Sequence, residues 1–158
     1  MMLTIELVPS TCWFSNVRSE VSKADWDKLR RSTYARSGRV CQVCGGVGPD
    51  WPVECHEIWD YDDVAHVQKL LGLVALCPAC HQVKHIGLAN VNGRGEEAER
   101  HLAQVNNWTA RQASLYVQEQ FRVWDHRSQY EWRLDLSWLA GQGVAVQAGP
   151  GARVKGYG

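Results

Sequence analysis

The sequence predicts an α+β fold with a β-hairpin and a following helix at its centre, helices on both sides, and a short C-terminal strand. Three observations favour this fold. Two Cys-x-x-Cys pairs, Cys41/Cys44 and Cys77/Cys80, stand 32 residues apart. Two segments between the pairs, residues 53–59 and 73–76, have the length and composition of strands. Segments with helix-capping residues and helical apolar spacing lie before and after them.

The length and composition predict one domain. The chain has 158 residues, of which 45% are hydrophobic and 22% charged, as in ordinary globular proteins. We expect a single domain over residues 1–140, with a core at about 38–90 between packed helical flanks. Residues 141–158 are rich in Gly and Ala and are expected to form a flexible tail.

The same composition predicts a cytoplasmic protein that does not enter a membrane. No apolar run reaches the roughly 18 residues that a membrane span requires, and the first residues do not resemble a signal peptide. The numbers of basic and acidic residues are equal, 17 each, so no overall positive field favours nucleic acid. A nucleic-acid partner would therefore need a local basic patch.

A basic cluster stands just before the first cysteine pair. It consists of Arg30, Arg31, Arg36 and Arg39. Such a cluster is either a solvated helix face or an edge that contacts phosphates, and the sequence favours neither.

The N-terminal part predicts one strand and one helix. Residues 4–8 alternate between polar and apolar types, which is typical of a strand. Ser22 followed by Asp25 has the pattern of a helix N-terminus. The helix is expected to run to about Arg36 and to end at Gly38.

The central part predicts a hairpin followed by a helix. Residues 53–59 and 73–76 are expected to be strands, with the connection marked by the acidic stretch 60–63. A proline suited to a first helical turn and a glycine suited to a helix end bound a short helix over residues 78–86.

The C-terminal part predicts two helices and a strand. Ala98, Leu102 and Val105 share one face of a helix, and Thr109 with Gln112 forms a capping box for the next. The alternation over residues 130–136 predicts a half-buried strand. This region is also rich in tryptophan, which we expect to build the core, to stack on bases, or to dock a protein partner or a second copy of the chain.

The cysteines and three histidines predict two metal sites. Paired cysteines in a reducing compartment favour zinc over disulfides, and two Cys-x-x-Cys pairs match a four-thiolate structural site. The leftover Cys12 and Cys55 are expected to be buried. His81 and His85 stand at i and i+4 on the predicted helix, so both rings share one face and can hold one ion. His56, on the preceding strand, is a candidate third ligand.

These motifs, with Glu54-x-His56 and His81-x-x-x-His85 between and after the cysteine pairs, resemble the ββα-metal finger of HNH endonucleases in its zinc-stapled form. The resemblance covers about residues 41–86. It implies a structural Zn²⁺ on the four paired cysteines and a catalytic divalent ion, Mg²⁺, Mn²⁺, Ni²⁺ or Zn²⁺, on the three histidines. It also implies a bacterial or phage protein.

The resemblance further implies hydrolysis of phosphodiester bonds, with DNA as the expected substrate. The ion would act on the phosphate and the leaving oxygen while a base activates water. The family usually places a histidine base directly after the first metal ligand, and Glu57 stands there, so His56 and Glu57 are the predicted catalytic residues. Glu54, Lys84 and Arg39 are expected to support the ligands or to contact phosphate.

Two departures from the family pattern leave alternatives open. Gly72 stands where the family has an asparagine that braces the loop. Either Glu57 acts as the base, or the register is shifted by one residue. In the shifted register His56 is the base, and Cys55 or Asp60 is a metal ligand. The alternative function is a catalytically impaired, zinc-stapled nucleic-acid-binding or scaffold module within a larger complex.

Overall fold

The computed structural model describes residues 1–12 and 16–146 and has a mixed α+β fold with a small three-stranded sheet, which confirms the predicted class. The elements in chain order are α1 Val17–Glu20, α2 Lys23–Arg36, β1 Glu54–Asp62, β2 Val67–Leu76, α3 Pro78–Lys84, α4 Ile86–Val91, α5 Gly95–Asn106, α6 Ala110–Arg127, β3 Arg133–Asp135 and α7 Trp138–Gly141.

The sheet has the order β1-β2-β3. Strands β1 and β2 form an antiparallel hairpin, and β3 joins β2 in parallel. Both hairpin strands are longer than predicted, because the acidic stretch continues β1 as far as Asp62, which pairs with Val67. The pairing shifts between Ile58 and Trp59, which face Gly72 and Leu70, so Leu71 is an extra residue in β2.

The C-terminal half of the central strand β2 is buried on both faces. Val74 and Leu76 pack into a first core with α3 to α6 and the N-terminal segment. Leu70 and Leu73 pack into a second core with α1, α2, β3 and α7. Burial on both faces explains why the end of β2 is a continuous apolar run rather than an alternating one.

Two helix starts occur where the capping residues predict them. The Ser22 side chain accepts a hydrogen bond from Asp25 N at 3.1 Å, and α2 ends at Arg36. Thr109 Oγ1 accepts from Gln112 N at 3.1 Å while Gln112 Oε1 accepts from Thr109 N at 2.8 Å. Local capping chemistry therefore decides both starts.

The predicted helix over residues 78–86 is interrupted. Helix α3 ends at Lys84, and His85 adopts φ −100° and ψ 44°, outside helical geometry. Helix α4 then begins at Ile86, so Gly87 lies inside a helix rather than after its end. The break gives His85 a position between two helices.

The predicted strand over residues 4–8 is wrong. The segment is not hydrogen-bonded to a strand. Instead, Glu6 N donates to Lys84 O at the end of α3, and Leu3 exchanges two hydrogen bonds with the Asn106 side chain. Leu3 and Ile5 are buried in the first core. The alternation of polar and apolar residues reflects a segment with one buried side, but this side packs against helices rather than beside a strand.

The packed part of the chain extends past the predicted boundary at residue 140. Val144 is only 5% exposed and belongs to the second core. The rest of the predicted tail, residues 147–158, lies outside the described residues. Across 1–12 and 16–146, no helix is long and apolar enough to cross a membrane.

Candidate metal centres

Four cysteines from the two Cys-x-x-Cys pairs come together at one end of the hairpin. Their sulfur atoms all lie within 4.8 Å of one another, and Cys44 Sγ is 3.7 Å from Cys77 Sγ. Sulfurs around one tetrahedral zinc, at about 2.3 Å from the ion, are about 3.8 Å apart. None of the six cysteines forms a disulfide. This cluster could therefore bind a structural metal such as zinc.

The two cysteine pairs have matching local geometry. In each pair the first sulfur lies 3.5 Å from the backbone nitrogen three residues later, Cys41 Sγ from Cys44 N and Cys77 Sγ from Cys80 N. Cys77 is also the N-cap of α3. Both turns thus direct their N–H groups at sulfur, which favours the thiolate form that a metal requires.

Backbone contacts attach the first pair to the sheet. Gln42 N donates to Ala75 O at 2.9 Å, and Ala75 N donates to Gln42 Oε1 at 2.8 Å. Gly48 lies against the start of α3, where an added Cβ would overlap Trp51 O and lie 2.7 Å from Pro78 Cδ. Only glycine fits this approach, so the loop position depends on it.

His101 contacts the cysteine cluster. Its Nε2 lies 3.2 Å from Cys80 Sγ, and it comes from α5. An N–H donor on a metal-bound sulfur orients the ligand and stabilises its charge. The motifs did not indicate this role. Helical spacing could have suggested it, because His101 follows the buried Ala98 by three residues and precedes the buried Leu102.

A second cluster consists of His56 from β1 and His81 and His85 from α3 and its C-terminal cap. One ring nitrogen of each lies within 4.8 Å of the others. The Nε2 atoms of His81 and His85 are 3.1 Å apart. Two nitrogens that each lie about 2.1 Å from one ion are separated by about 3.0–3.4 Å. This spacing fits a shared metal ion.

Glu54 orients His81. His81 Nδ1 donates to Glu54 Oε1 at 2.8 Å, which leaves Nε2 as the lone-pair nitrogen toward the cluster. Glu54 Oε2 accepts in turn from Trp51 Nε1 at 3.0 Å. A carboxylate on the far nitrogen of a histidine is the usual partner of a metal ligand.

Glu6 is the carboxylate partner of His56, as Glu54 is of His81. His56 Nε2 donates to Glu6 Oε1 at 3.1 Å, while His56 Nδ1 is buried and has no hydrogen-bond partner among the described residues. A buried acceptor without a donor is costly unless a cation fills its place. Burial is the main cause that lowers the pKa of His56 to about 3, and the charge on Lys84 acts in the same direction, so the ring is neutral as a ligand must be.

Glu6 was not indicated by any motif. It is nearly buried, and this burial raises its pKa to about 7, against the opposing effect of Lys84. Tyr61 Oη donates to Glu6 Oε2 at 3.4 Å. The sequence does contain a signal for a role of Glu6, because it is a charged residue in a segment that is expected to pack.

Lys84 lines a cavity together with His56 and Glu57, whereas Arg39 does not line it. Lys84 Nζ donates to Thr4 Oγ1 at 2.7 Å, and burial lowers its pKa. Arg39 is exposed and has a positive φ of 61°, two residues before Cys41 at the cysteine end. Lys84 thus binds the N-terminal segment.

Glu57 lies beside the histidine cluster. Together with Glu6, His56 and His85 it lines a cavity of about 550 Å³. Burial is the main cause that raises the pKa of Glu57, and a hydrogen bond from Val17 N opposes it. A carboxyl group in this environment takes up a proton more readily than an exposed one.

The residues of the shifted register differ in where they lie. The Cys55 side chain packs against the second core, interacts with Thr33 of α2 and lines a groove together with His81. Asp60 is exposed. Gly72, at the family's asparagine position, lies in β2 opposite Ile58 beside the extra residue. The structure brings the three histidines together, and Cys55 borders His81 from the side of this groove.

No protein-family model, curated protein or solved structure matches the chain. Its function is therefore inferred from the geometry of the two clusters and from the residues around them.

Proposed function

We propose that the chain is a metal-dependent nuclease that hydrolyses phosphodiester bonds, with DNA as its substrate, in the manner of HNH endonucleases. One observation carries the proposal: ring nitrogens of His56, His81 and His85 converge within 4.8 Å. The histidines lie on a hairpin and the helix that follows it, and the four-cysteine cluster lies at one end of the hairpin. This arrangement supports the resemblance to the ββα-metal finger.

The three histidines fit a divalent ion. The unpartnered Nδ1 of His56 and the carboxylates on the far nitrogens of His56 and His81 are what such a ligand set requires. A bound ion would supply an electrophile for the scissile phosphate and the leaving oxygen. Imidazole ligands favour Ni²⁺ and Zn²⁺ over Mn²⁺ and Mg²⁺.

Glu57 is the proposed proton acceptor. It shares a cavity with His56 and His85, and its raised pKa makes the carboxylate a stronger base than an exposed one. In this role the carboxylate takes a proton from the attacking water, which is the task that an imidazole performs in the family pattern. The carboxylate must be ionised before the reaction, so activity requires a pH above its raised pKa.

A second candidate function is binding of nucleic acid without cleavage. The observation that favours it is that Glu57 stands where the family has a histidine base. A chain that has lost this imidazole would still keep the four-cysteine cluster and the fold around it. In that case the histidine cluster would bind metal and DNA but would not hydrolyse the backbone.

The experiment is incubation of the zinc-loaded chain with supercoiled plasmid or single-stranded DNA and with Ni²⁺, Mn²⁺, Zn²⁺ or Mg²⁺. Nicked or linear plasmid or cut single-stranded DNA is expected with at least one metal, and His81→Ala should abolish it. The control is His126→Ala, which changes an exposed histidine outside both clusters and should leave cleavage intact. Intact plasmid and intact single-stranded DNA with all four metals, together with retained DNA binding, would reject the nuclease and favour the second candidate.

A further inference from the structure

A groove of about 640 Å³ lies beside His81, between α2 and the start of β1. Its lining includes the basic residues Arg18, Lys23 and Arg30 and the aromatic residues Trp26 and Tyr34. It lies apart from the cavity that contains Glu57, which His56 and His85 line instead. The histidine cluster therefore borders two depressions of different chemistry.

The groove belongs to the basic part of the chain. Residues 16–40 contain seven Lys and Arg but only three Asp and Glu, although the whole chain has no net charge. Within the groove Asp27 pairs with two cations, Lys23 at 3.1 Å and Arg30 at 2.9 Å. Arg18 is exposed and has no ion pair in the described part of the chain. The lining thus carries an excess of positive charge.

One carboxylate lies at the end of the groove near the histidines. Glu54, the other acid in the lining, accepts hydrogen bonds from His81 and from Trp51. A divalent ion on the histidines would add two positive charges there, which would more than offset this carboxylate. With that ion bound, the lining would attract an anionic chain toward His81.

Aromatic side chains line the same groove. Trp26 and Tyr34 are partly exposed and stand about two turns apart on α2, a rise of about 12 Å. Basic side chains with interleaved aromatic rings are the usual lining of grooves that bind single-stranded nucleic acid, where bases stack on the rings. A duplex keeps its bases stacked on each other and cannot offer their faces to these rings.

We propose that this groove binds a single strand of DNA next to the phosphate at the histidine cluster. The phosphates lie on Arg18, Lys23 and Arg30, and bases stack on Trp26 and Tyr34. The position of the cleaved phosphate rests on the proposed nuclease function, whereas binding in the groove does not require cleavage.

The test is fluorescence anisotropy of a labelled single-stranded DNA oligonucleotide with the full zinc-loaded chain and no second metal. The double variant Arg18→Ser/Lys23→Ser should weaken binding at least about tenfold. The slope of log affinity against log salt should become shallower by about 0.7 for each phosphate that the variant no longer neutralises. Asp27 keeps Arg30 as its partner in this variant.

The matched control is Lys28→Ser/Arg31→Ser, which removes the same charge from exposed α2 residues that do not line the groove. Its affinity should change less than about threefold. Tyr34→Leu tests stacking and should weaken binding without changing the salt slope. Thermal melting of each variant confirms that it is folded.

Two results would overturn the proposal. Equal losses in the groove variant and the control would show unspecific attraction to a basic helix. Binding of a duplex of the same sequence as tightly as the single strand, with the same dependence on the groove residues, would remove the preference for a single strand.

A further variant separates this proposal from the nuclease. His85→Ala removes a metal ligand that does not line the groove, so single-strand binding should persist while cleavage is lost. Groove-dependent binding without cleavage by wild type would reject the nuclease alone. If wild type cleaves DNA but the groove variants bind single-stranded DNA as tightly as wild type, only the groove proposal would be rejected.

Discussion

His56 Nε2 donates to the Glu6 carboxylate over 3.1 Å, although the two residues are 50 positions apart in the chain. The other ring nitrogen, Nδ1, is buried and has no hydrogen-bond partner among the described residues. The bond to Glu6 also connects the N-terminal segment to the proposed metal site. The segment that resembled a strand thus supplies a positioning carboxylate.

Replacing Glu6 by Gln should weaken metal binding at the histidines. The amide keeps the shape but cannot take on the negative charge that Glu6 gains above its pKa of about 7, so at a pH above that value we expect a loss of about 10- to 100-fold in affinity. Calorimetric titration of the zinc-loaded chain with Ni²⁺ measures it. Glu119→Gln, which changes an exposed carboxylate paired with Arg122, is the control. Unchanged Ni²⁺ affinity in Glu6→Gln would remove Glu6 from the site.

Glu57→Gln should lower the cleavage rate about 10²- to 10⁴-fold, because the amide cannot accept a proton. The wild-type rate should rise with pH through a midpoint above the ordinary carboxyl value of 4.5, since burial raises the pKa of Glu57. Glu57→His should cleave, with the midpoint moved toward the imidazole value of about 6.5.

Plasmid cleavage rates across pH, with the metal at saturation, check this prediction. A rate for Glu57→Gln equal to that of wild type would show that another group takes the proton. Thermal melting distinguishes this outcome from misfolding.

His101→Leu should weaken the hold of the four cysteines on zinc. The change removes the ring nitrogen that lies 3.2 Å from Cys80 Sγ while keeping an apolar side chain. Loss of such an outer partner costs about 10-fold or more in metal affinity. Zinc transfer to a coloured chelator measures it, with His126→Leu as control. Equal zinc retention in both variants would assign His101 a packing role only.

Gly48→Ala should destabilise the fold and loosen the cysteine cluster. The new methyl group would overlap Trp51 O and meet Pro78 Cδ at 2.7 Å. Relieving this clash requires the loop or α3 to move, at a cost of about 1–3 kcal/mol. Thermal or urea unfolding measures it. Gly141→Ala is the control, because nothing lies within 4 Å of its Cβ position.

The elements that local chemistry decides could be predicted. The start of α2 at Ser22 and the capping box at Thr109 follow from neighbouring side chains and backbone groups. The pairing of β1 with β2 follows from two apolar runs close together in the chain. The break at His85 could not be predicted, because Pro78 and Gly87 mark the same helix whether or not it is interrupted.

The sequence by itself determined the ligand types and their local spacing: four cysteines in two turns and two histidines one helical turn apart. Only the tertiary structure decided what surrounds them. Glu6 reaches His56, His101 reaches Cys80, and α2 borders His81 through contacts between distant parts of the chain. Such contacts depend on how the helices and the N-terminal segment pack against the sheet, which buries apolar area without regard to sequence order. Metal-ligand spacing is a short-range property, and the orientation of those ligands is a property of the packed core.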